Sequence, residues 1–220
     1  MYADNWEARR WPRNYVNQIG TTLYVRGGIS PVLLENALEK AIGEAGGNLS
    51  KLDIVEDETL GNGGRVLVRD DCLVVPMDMD MGKLQGVKGR FDIAYFPTPT
   101  VEGFDQWLKS VDREVFEQKN RFSEKQIKEI YARYRRRIDF DTRTDLDFFI
   151  ALIGKNGKNA LLLDELYERI YRDKFILPKA METLTVDAYE AGVQLGCNCL
   201  QLGDLLVIPD GCRDLQQKMN

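Results

Sequence analysis

The sequence predicts a mixed α+β fold built from repeated β-hairpin and helix units. Three observations carry this. First, the stretch 198–211, NCLQLGDLLVIPDG, reads as strand, two-residue turn at Gly203-Asp204, strand, with Pro209 closing it. Second, the chain repeats the signature at 15–25 (YVNQIGTTLYV, broken at Gly20-Thr21), at 65–76 (RVLVRDDCLVVP, broken at Asp70-Asp71) and at 148–163 (FFIALIGKNGKNALLL, broken at a Gly/Asn-rich loop). Third, these hairpins open at Tyr15, Arg65, Phe148 and Asn198, which are 50, 83 and 50 residues apart. A near-constant period with one interruption is the mark of a repeat architecture.

The length, 220 residues, suits one domain or two small ones, and the chain is read as one spanning 1–220; a 44% hydrophobic content is enough to fill a substantial core. The net charge of −5 argues against a nucleic-acid partner, which calls for a basic face. No run approaches the ~20 apolar residues of a membrane span, and the polar start MYADNWEARR lacks the apolar centre of a signal peptide. Four cysteines in a chain of this size point to reduced thiols and a cytoplasmic location. There is no histidine. That excludes a Ser-His-Asp triad, a Cys-His pair and a His-ligated zinc.

Taken in order, residues 1–14 carry Trp6 and Trp11, and Pro12 opposes a helix. After the first hairpin, Ser30 is placed as an N-cap and Pro31 at the first helical position. Val32, Leu33, Leu34, Ala37, Leu38, Ala41 and Ile42 then recur at helical spacing up to Gly46-Gly47. A short strand is expected at Lys51–Val55, and turns at Glu56–Glu58 and Gly61–Gly64. The glycine loop is no P-loop, since no Gly-Lys-Ser/Thr follows. In 77–90 the alternation of Met and Asp reads as an irregular loop with one wet side or, using Asp78 and Asp80, as an oxygen-ligand metal site; two carboxylates assign no metal. Phe91–Phe96 is a further strand, ended by Pro97 and Pro99.

Residues 101–140 read as a helical insertion that accounts for the long interval between the second and third hairpins. Val101, Phe104, Trp107, Leu108 and Val111 mark its first segment. Ser123-Glu124 opens the second, with Ile127, Ile130, Tyr131 and Tyr134 on one side. The cluster Arg133–Arg137 is a solvated helix end that complements the helix dipole, or a contact for phosphate or an acidic partner. Further on, a short helix is expected within Leu162–Tyr171, a strand at Leu184–Val186, and a polar tail at Gln216–Asn220. Cys197 and Cys199 are placed on one strand, pointing the same way as small core residues; Cys72 is expected to be buried and Cys212 exposed.

Four stretches resemble the pentein, or guanidino-group-modifying, superfamily of arginine deiminases, dimethylarginine hydrolases and amidinotransferases. Trp11-Pro12-Arg13-Asn14 before a hairpin looks like the family's W-P-R-D or F-V-R-D entry. Leu60–Val66 looks like its L-x-G-G-D-V element, and Asp145-Leu146-Asp147 like its H-L-D element. Gly196–Gly211 looks like G-x-N-x-L-x-L-G-x-x-V-I-x-P-x-G. The resemblance implies a pseudo-fivefold fan of ββαβ-like units, propeller-like and here incomplete, and a chemistry that needs no cofactor. It also implies a small guanidino ligand held by Arg13, Asn14 and Arg65, with Cys199 and Asp145 as the catalytic candidates.

The departures weigh against the reaction. A guanidinium is a planar cation recognised by carboxylates that accept paired N–H bonds. Where the family has its two clamp carboxylates, this chain has Asn14 and Arg65, and where the family has its acid/base histidine it has Asp145. The nucleophilic cysteine belongs to an element after the last hairpin, and Asn220 leaves little room for it. An alternative alignment puts Gly196–Cys199 on that element and makes Cys199 the nucleophile, but LGDLLVIP then fits less well. Three readings stay open: a degenerate pentein that binds or assembles without turnover, an active enzyme on an arginine-like compound, and an unrelated mixed α/β interaction domain. A missing unit would leave an open sheet edge, inviting an oligomer or a partner chain.

Overall fold

The computed structural model describes residues 16–19, 21–27, 29–44, 46, 53–86, 89–100, 102–103, 106, 122–139, 145–155, 158–202 and 205–219. Arg13, Asn14, both N-terminal tryptophans and most of the first segment of the proposed insertion lie outside them. The fold is mixed α+β. It falls into two compact units: Met1–Val75 with Met79–Ile93, and Pro76–Asp78 with Ala94–Asn220.

In the first unit, β1 (Val16–Ile19) and β2 (Thr22–Val25) form an antiparallel hairpin closed by the Ile19–Thr22 pair. Helix α1 (Pro31–Glu44) follows, and β3 (Asp53–Glu56) returns parallel to β2, giving the order β1-β2-β3. The helix stands where its Ser-Pro start and apolar spacing put it, yet none of its residues is buried; Val32 is 62% and Leu33 49% exposed. The second hairpin, β4 (Leu67–Arg69) and β5 (Cys72–Pro76), closes through Arg69–Cys72, with Asp70 at φ 48°, a left-handed conformation that Asp tolerates. A 3₁₀ turn (Met81–Leu84) leads to β6 (Asp92–Phe96), and the order is again hairpin then third strand, β4-β5-β6. The division between the units passes through β5 and β6, after Val75 and Ile93.

In the second unit, α2 (Glu124–Asp139) begins with a capping box: Ser123 Oγ accepts from Gln126 N–H, and Gln126 Oε1 accepts from Ser123 N–H at 2.9 Å. Ile130 and Tyr134 form its buried side. A 3₁₀ turn (Leu146–Phe148) enters the third hairpin, β7 (Ile150–Lys155) and β8 (Lys158–Asp164). Helix α3 (Glu165–Tyr171) and a 3₁₀ turn (Arg172–Lys174) follow, and β9 (Glu182–Val186) returns parallel to β8. This is the topology of β1–β3 again. After α4 (Ala188–Gly192) comes the fourth hairpin, β10 (Leu200–Leu202) and β11 (Leu205–Val207), then α5 (Arg213–Met219).

Two apolar clusters hold the second unit. The first is aromatic. Tyr167 stacks on Phe175 at 5.6 Å between centroids and also meets Phe149, Tyr171 and Phe96. The second joins Ala151, Ile153, Ala160, Leu162 and Val186 of the third sheet to Ala191, Cys197, Cys212 and Leu215, with Leu206 and Ile208 of the fourth hairpin packed on it. Three expectations need correction here. Cys212 is buried, because it turns into this cluster ahead of α5. Cys197 sits in a turn, since β10 begins only at Leu200. The expected polar tail is largely α5, anchored by buried Leu215.

Candidate functional site

In the first unit the glycine loop is built from its backbone outward. Asp57 Oδ1 accepts the amides of Thr59 and Leu60 at 2.8 and 2.9 Å, and its Oδ2 meets Lys83 Nζ at 3.1 Å. Burial acts to raise this carboxyl, but the Leu60 amide, the Lys83 ammonium and the Thr59 amide outweigh it and hold its pKa below the ordinary value. The side-chain amide of Asn17 donates to Leu60 O and Val66 O at 3.1 and 3.0 Å, clamping both ends of the loop. At Gly61 a Cβ would stand 2.7 Å from Asp57 O and 2.8 Å from Arg26 N, so only glycine fits. Arg65 leaves this corner half-buried, two residues before β4.

Asp145 and Cys199 belong to the second unit. Asp145 is buried at the entry to the Leu146–Phe148 turn, without capping it through its side chain. Cys199 lies just ahead of β10, half-buried against the second apolar cluster. Its neighbours there include Cys212, whose thiol is pushed up to about 11, first by burial and then by the charges of Glu190 and Asp210. Burial, with Asp92 and Asp71 nearby, pushes Cys72 up to about 12. Both thiols stay protonated at neutral pH, which makes them poor nucleophiles.

Asp78 and Asp80 carry hydrogen bonds of the fold. Thr98 Oγ1 donates to Asp78 at 2.9 Å, and Gly82 N–H donates to Asp80 at 2.8 Å as the cap of its 3₁₀ turn. Among the described residues no three carboxylates or thiols converge as metal ligands. Arg133, Arg135 and Arg136 are exposed, on either side of buried Tyr134.

The sequence reading passed over the acidic core of the second unit. Asp164 is fully buried; it accepts the Leu166 and Tyr167 amides at 2.8 and 3.1 Å as the cap of α3, and Tyr134 OH donates to its other oxygen. Glu165 joins Arg169 at 2.6 Å and the Ala188 amide at 3.1 Å. Glu168 joins Arg172 and, at 2.6 Å, Thr185 Oγ1. Glu190 accepts the first amides of α5, from Asp214 and Leu215, at 2.7 and 3.0 Å. Tyr167 OH donates to Pro97 O at 2.5 Å, and burial holds its pKa well above the ordinary value. Glu-to-Arg spacings of four at 165/169 and 168/172 were the available signal. Each of these groups is matched by a structural partner, so the arrangement reads as a scaffold.

No described helix is long and apolar enough to cross a membrane. Comparison of the chain with protein-family models, with characterised proteins and with solved structures finds no match.

Proposed function

We propose that this chain is a degenerate pentein-like scaffold, a fan of hairpin–helix–strand units that binds or assembles without turning a substrate over. The observation that carries the reading is the recurrence of one topology. An antiparallel hairpin with a two-residue loop is followed by a crossover and by a strand beside the hairpin's second strand, as in β1–β3, β4–β6 and β7–β9. A fourth hairpin and helix follow.

The loss of chemistry is argued from the residues. Thiolate attack on a guanidinium carbon needs a proton donor for the leaving amine and a carboxylate clamp for the cation. The chain has no histidine, and Arg65 puts a like charge at a clamp position. The ligand is a small guanidino compound, and assembly uses an open sheet edge. A cytoplasmic, reducing setting suits the four thiols. The burial of Asp145 favours a second reading, a working amidinohydrolase in which the Cys199 thiolate attacks the guanidinium carbon and Asp145 gives the leaving amine its proton.

Incubation with arginine, agmatine and methylated arginines separates the two. The proposal expects no citrulline-type product and no ornithine, with a melting temperature that rises as the compounds are added. Product formation abolished by Cys199→Ser would overturn it in favour of the enzyme.

A further inference from the structure

Three of the four thiols gather in one place in the second unit. Cys197 and Cys212 belong to its second apolar cluster, and Cys199 packs against that cluster. The register of the fourth hairpin sets Leu200 opposite Val207 and Gln201 opposite Leu206; continued by one residue, it sets Cys199 opposite Ile208. Opposed residues share a face, so Cys199 lies on the side where Leu206 and Ile208 pack inward. Cys212 joins the same cluster from the far end of the hairpin, after Pro209-Asp210-Gly211. Its thiol donates to Gln194 O at 4.0 Å. The Gly211 backbone lies against the Gln194 side chain, where a Cβ would stand 2.6 Å from Nε2. Gln194 opens the turn that leads to Cys199: Leu195 is left-handed at φ 63°, and Asn198 N–H donates to Leu195 O at 2.7 Å. Both ends of the hairpin are thus fixed to one short segment.

The two thiols at these ends are unequal. Cys199 is the one thiol of the four that is not buried, and oxidants reach exposed thiols first. Cys212 is fully buried, so a peroxide in solvent does not meet it directly. Cys199 is nonetheless near enough that its charge, when ionised, is felt at Cys212. An accessible sulfur beside a sheltered one is the arrangement of an oxidised thiol and the thiol that resolves it.

We propose that Cys199 and Cys212 are a peroxide-responsive pair that closes into a disulfide and pins the fourth hairpin to the start of α5. The Cys199 thiolate attacks one oxygen of the peroxide. The O–O bond breaks, an S–O bond forms, and the released hydroxide takes up the thiol's proton as water. The Cys212 sulfur then attacks the Cys199 sulfur. The S–O bond breaks, the S–S bond forms, and the hydroxide leaves with the Cys212 proton as a second water. Two thiols are oxidised and one hydrogen peroxide is reduced to two waters. The second step is the slow one, since burial and the charges of Glu190 and Asp210 keep Cys212 protonated at neutral pH. The ring so closed contains all of β10 and β11. A reversible bridge of this kind suits a reducing compartment, where lasting disulfides are rare. The proposal goes beyond the functional reading above, because neither a guanidino ligand nor a partner chain enters it.

The test treats the full, folded chain with a few equivalents of hydrogen peroxide and maps the product by mass spectrometry. The intact mass is expected to fall by two hydrogen atoms, the thiol count to fall from four to two, and the peptides of Cys199 and Cys212 to be joined. Dithiothreitol reverses all three changes. The bridged chain melts a few degrees above the reduced one, because the closed ring restricts the unfolded chain. Cys212→Ala leaves Cys199 as a sulfenic acid that a cyclic 1,3-diketone traps, and Cys199→Ser leaves the other thiols reduced at the same dose. The mapping of the natural chain stands by itself should either variant fold poorly. Four surviving thiols, a Cys199 driven to sulfinic acid without a bridge, or a bridge made through Cys197 overturns the proposal. So does a bridge between two chains, seen as a doubled mass, or an internal bridge that fails to raise the melting temperature.

Discussion

The first and third repeats have the same topology and opposite burial. In β1-β2-α1-β3 the helix has fourteen residues and buries none of them. In β7-β8-α3-β9 the helix has seven, and Glu165, Leu166, Tyr167, Glu168 and Tyr171 are all buried. The difference lies in what fixes the helix to its sheet. Ser30 gives α1 its carbonyl, bonded to Leu34 N–H at 3.0 Å. Asp164 gives α3 a carboxylate that holds two amides and the Tyr134 hydroxyl, and Glu165 and Glu168 tie the same helix to Ala188 and Thr185. The hairpin-and-crossover pattern specifies the path of the chain. Satisfied buried acids decide how firmly the crossover is held.

The sharpest way to break this comparison is at the caps. Asp164→Ala removes a cap and strands a buried hydroxyl, so it should destabilise by about 3 kcal/mol, whereas Ser30→Ala should cost about 0.5 kcal/mol or less. Urea midpoints at fixed slope measure both. Equal effects would mean that the two helices are held alike. Next come the apolar positions. Leu162, fully buried in β8, should cost about 3 kcal/mol as Ala, and Leu33, 49% exposed on α1, about 0.5 kcal/mol or less. A smaller effect is expected at Gly192, where a Cβ would strike the ring of Tyr134. Gly192→Ala should cost about 2 kcal/mol, while Gly43→Ala, with open space around it on α1, should be neutral or stabilising by about 0.5 kcal/mol.

At neutral pH the smallest effects are those of titration, which emerge only at the acid and alkaline limits. The Asp57 carboxyl has a folded pKa below its unfolded value, so its contribution is present above the unfolded value of 3.8 and is lost as pH falls through the folded one. Asp57→Asn should flatten the acid limb of the stability profile. Cys72 is raised from 9.0 to about 12, so its contribution is complete below pH 9 and is lost as pH climbs towards 12. Cys72→Ala should remove that alkaline loss, at the cost of a small cavity.

Much of the path of the chain was legible. All four hairpins lie within two residues of their predicted strands, because a two-residue loop between runs of β-forming residues is a local signal. Helices α1 and α2 were also legible, from the Ser30-Pro31 and Ser123-Glu124 starts ahead of apolar spacing. The short helices α4 and α5 were not. Each is set by a remote partner, α4 by Tyr134 against Gly192 and α5 by Glu190 at its first amides. The burial of Glu165, Glu168 and Glu190 was hidden for the same reason, since acids on short helices ordinarily face water. Of the site residues, Arg65, Asp145 and Cys199 are now placed at a loop exit, a turn entry and a strand start. Local sequence located them, but their chemistry depends on neighbours distant in the chain.

The central claim, a guanidine-type scaffold without its reaction, is tested most directly by restoring the lost clamp charge. Arg65→Asp removes a like charge from the proposed cation site and supplies a carboxylate. The account predicts that agmatine raises the melting temperature of this variant by several degrees more than that of the wild type, with no product from either protein. Identical shifts in the two proteins, or turnover by the wild type, would contradict it.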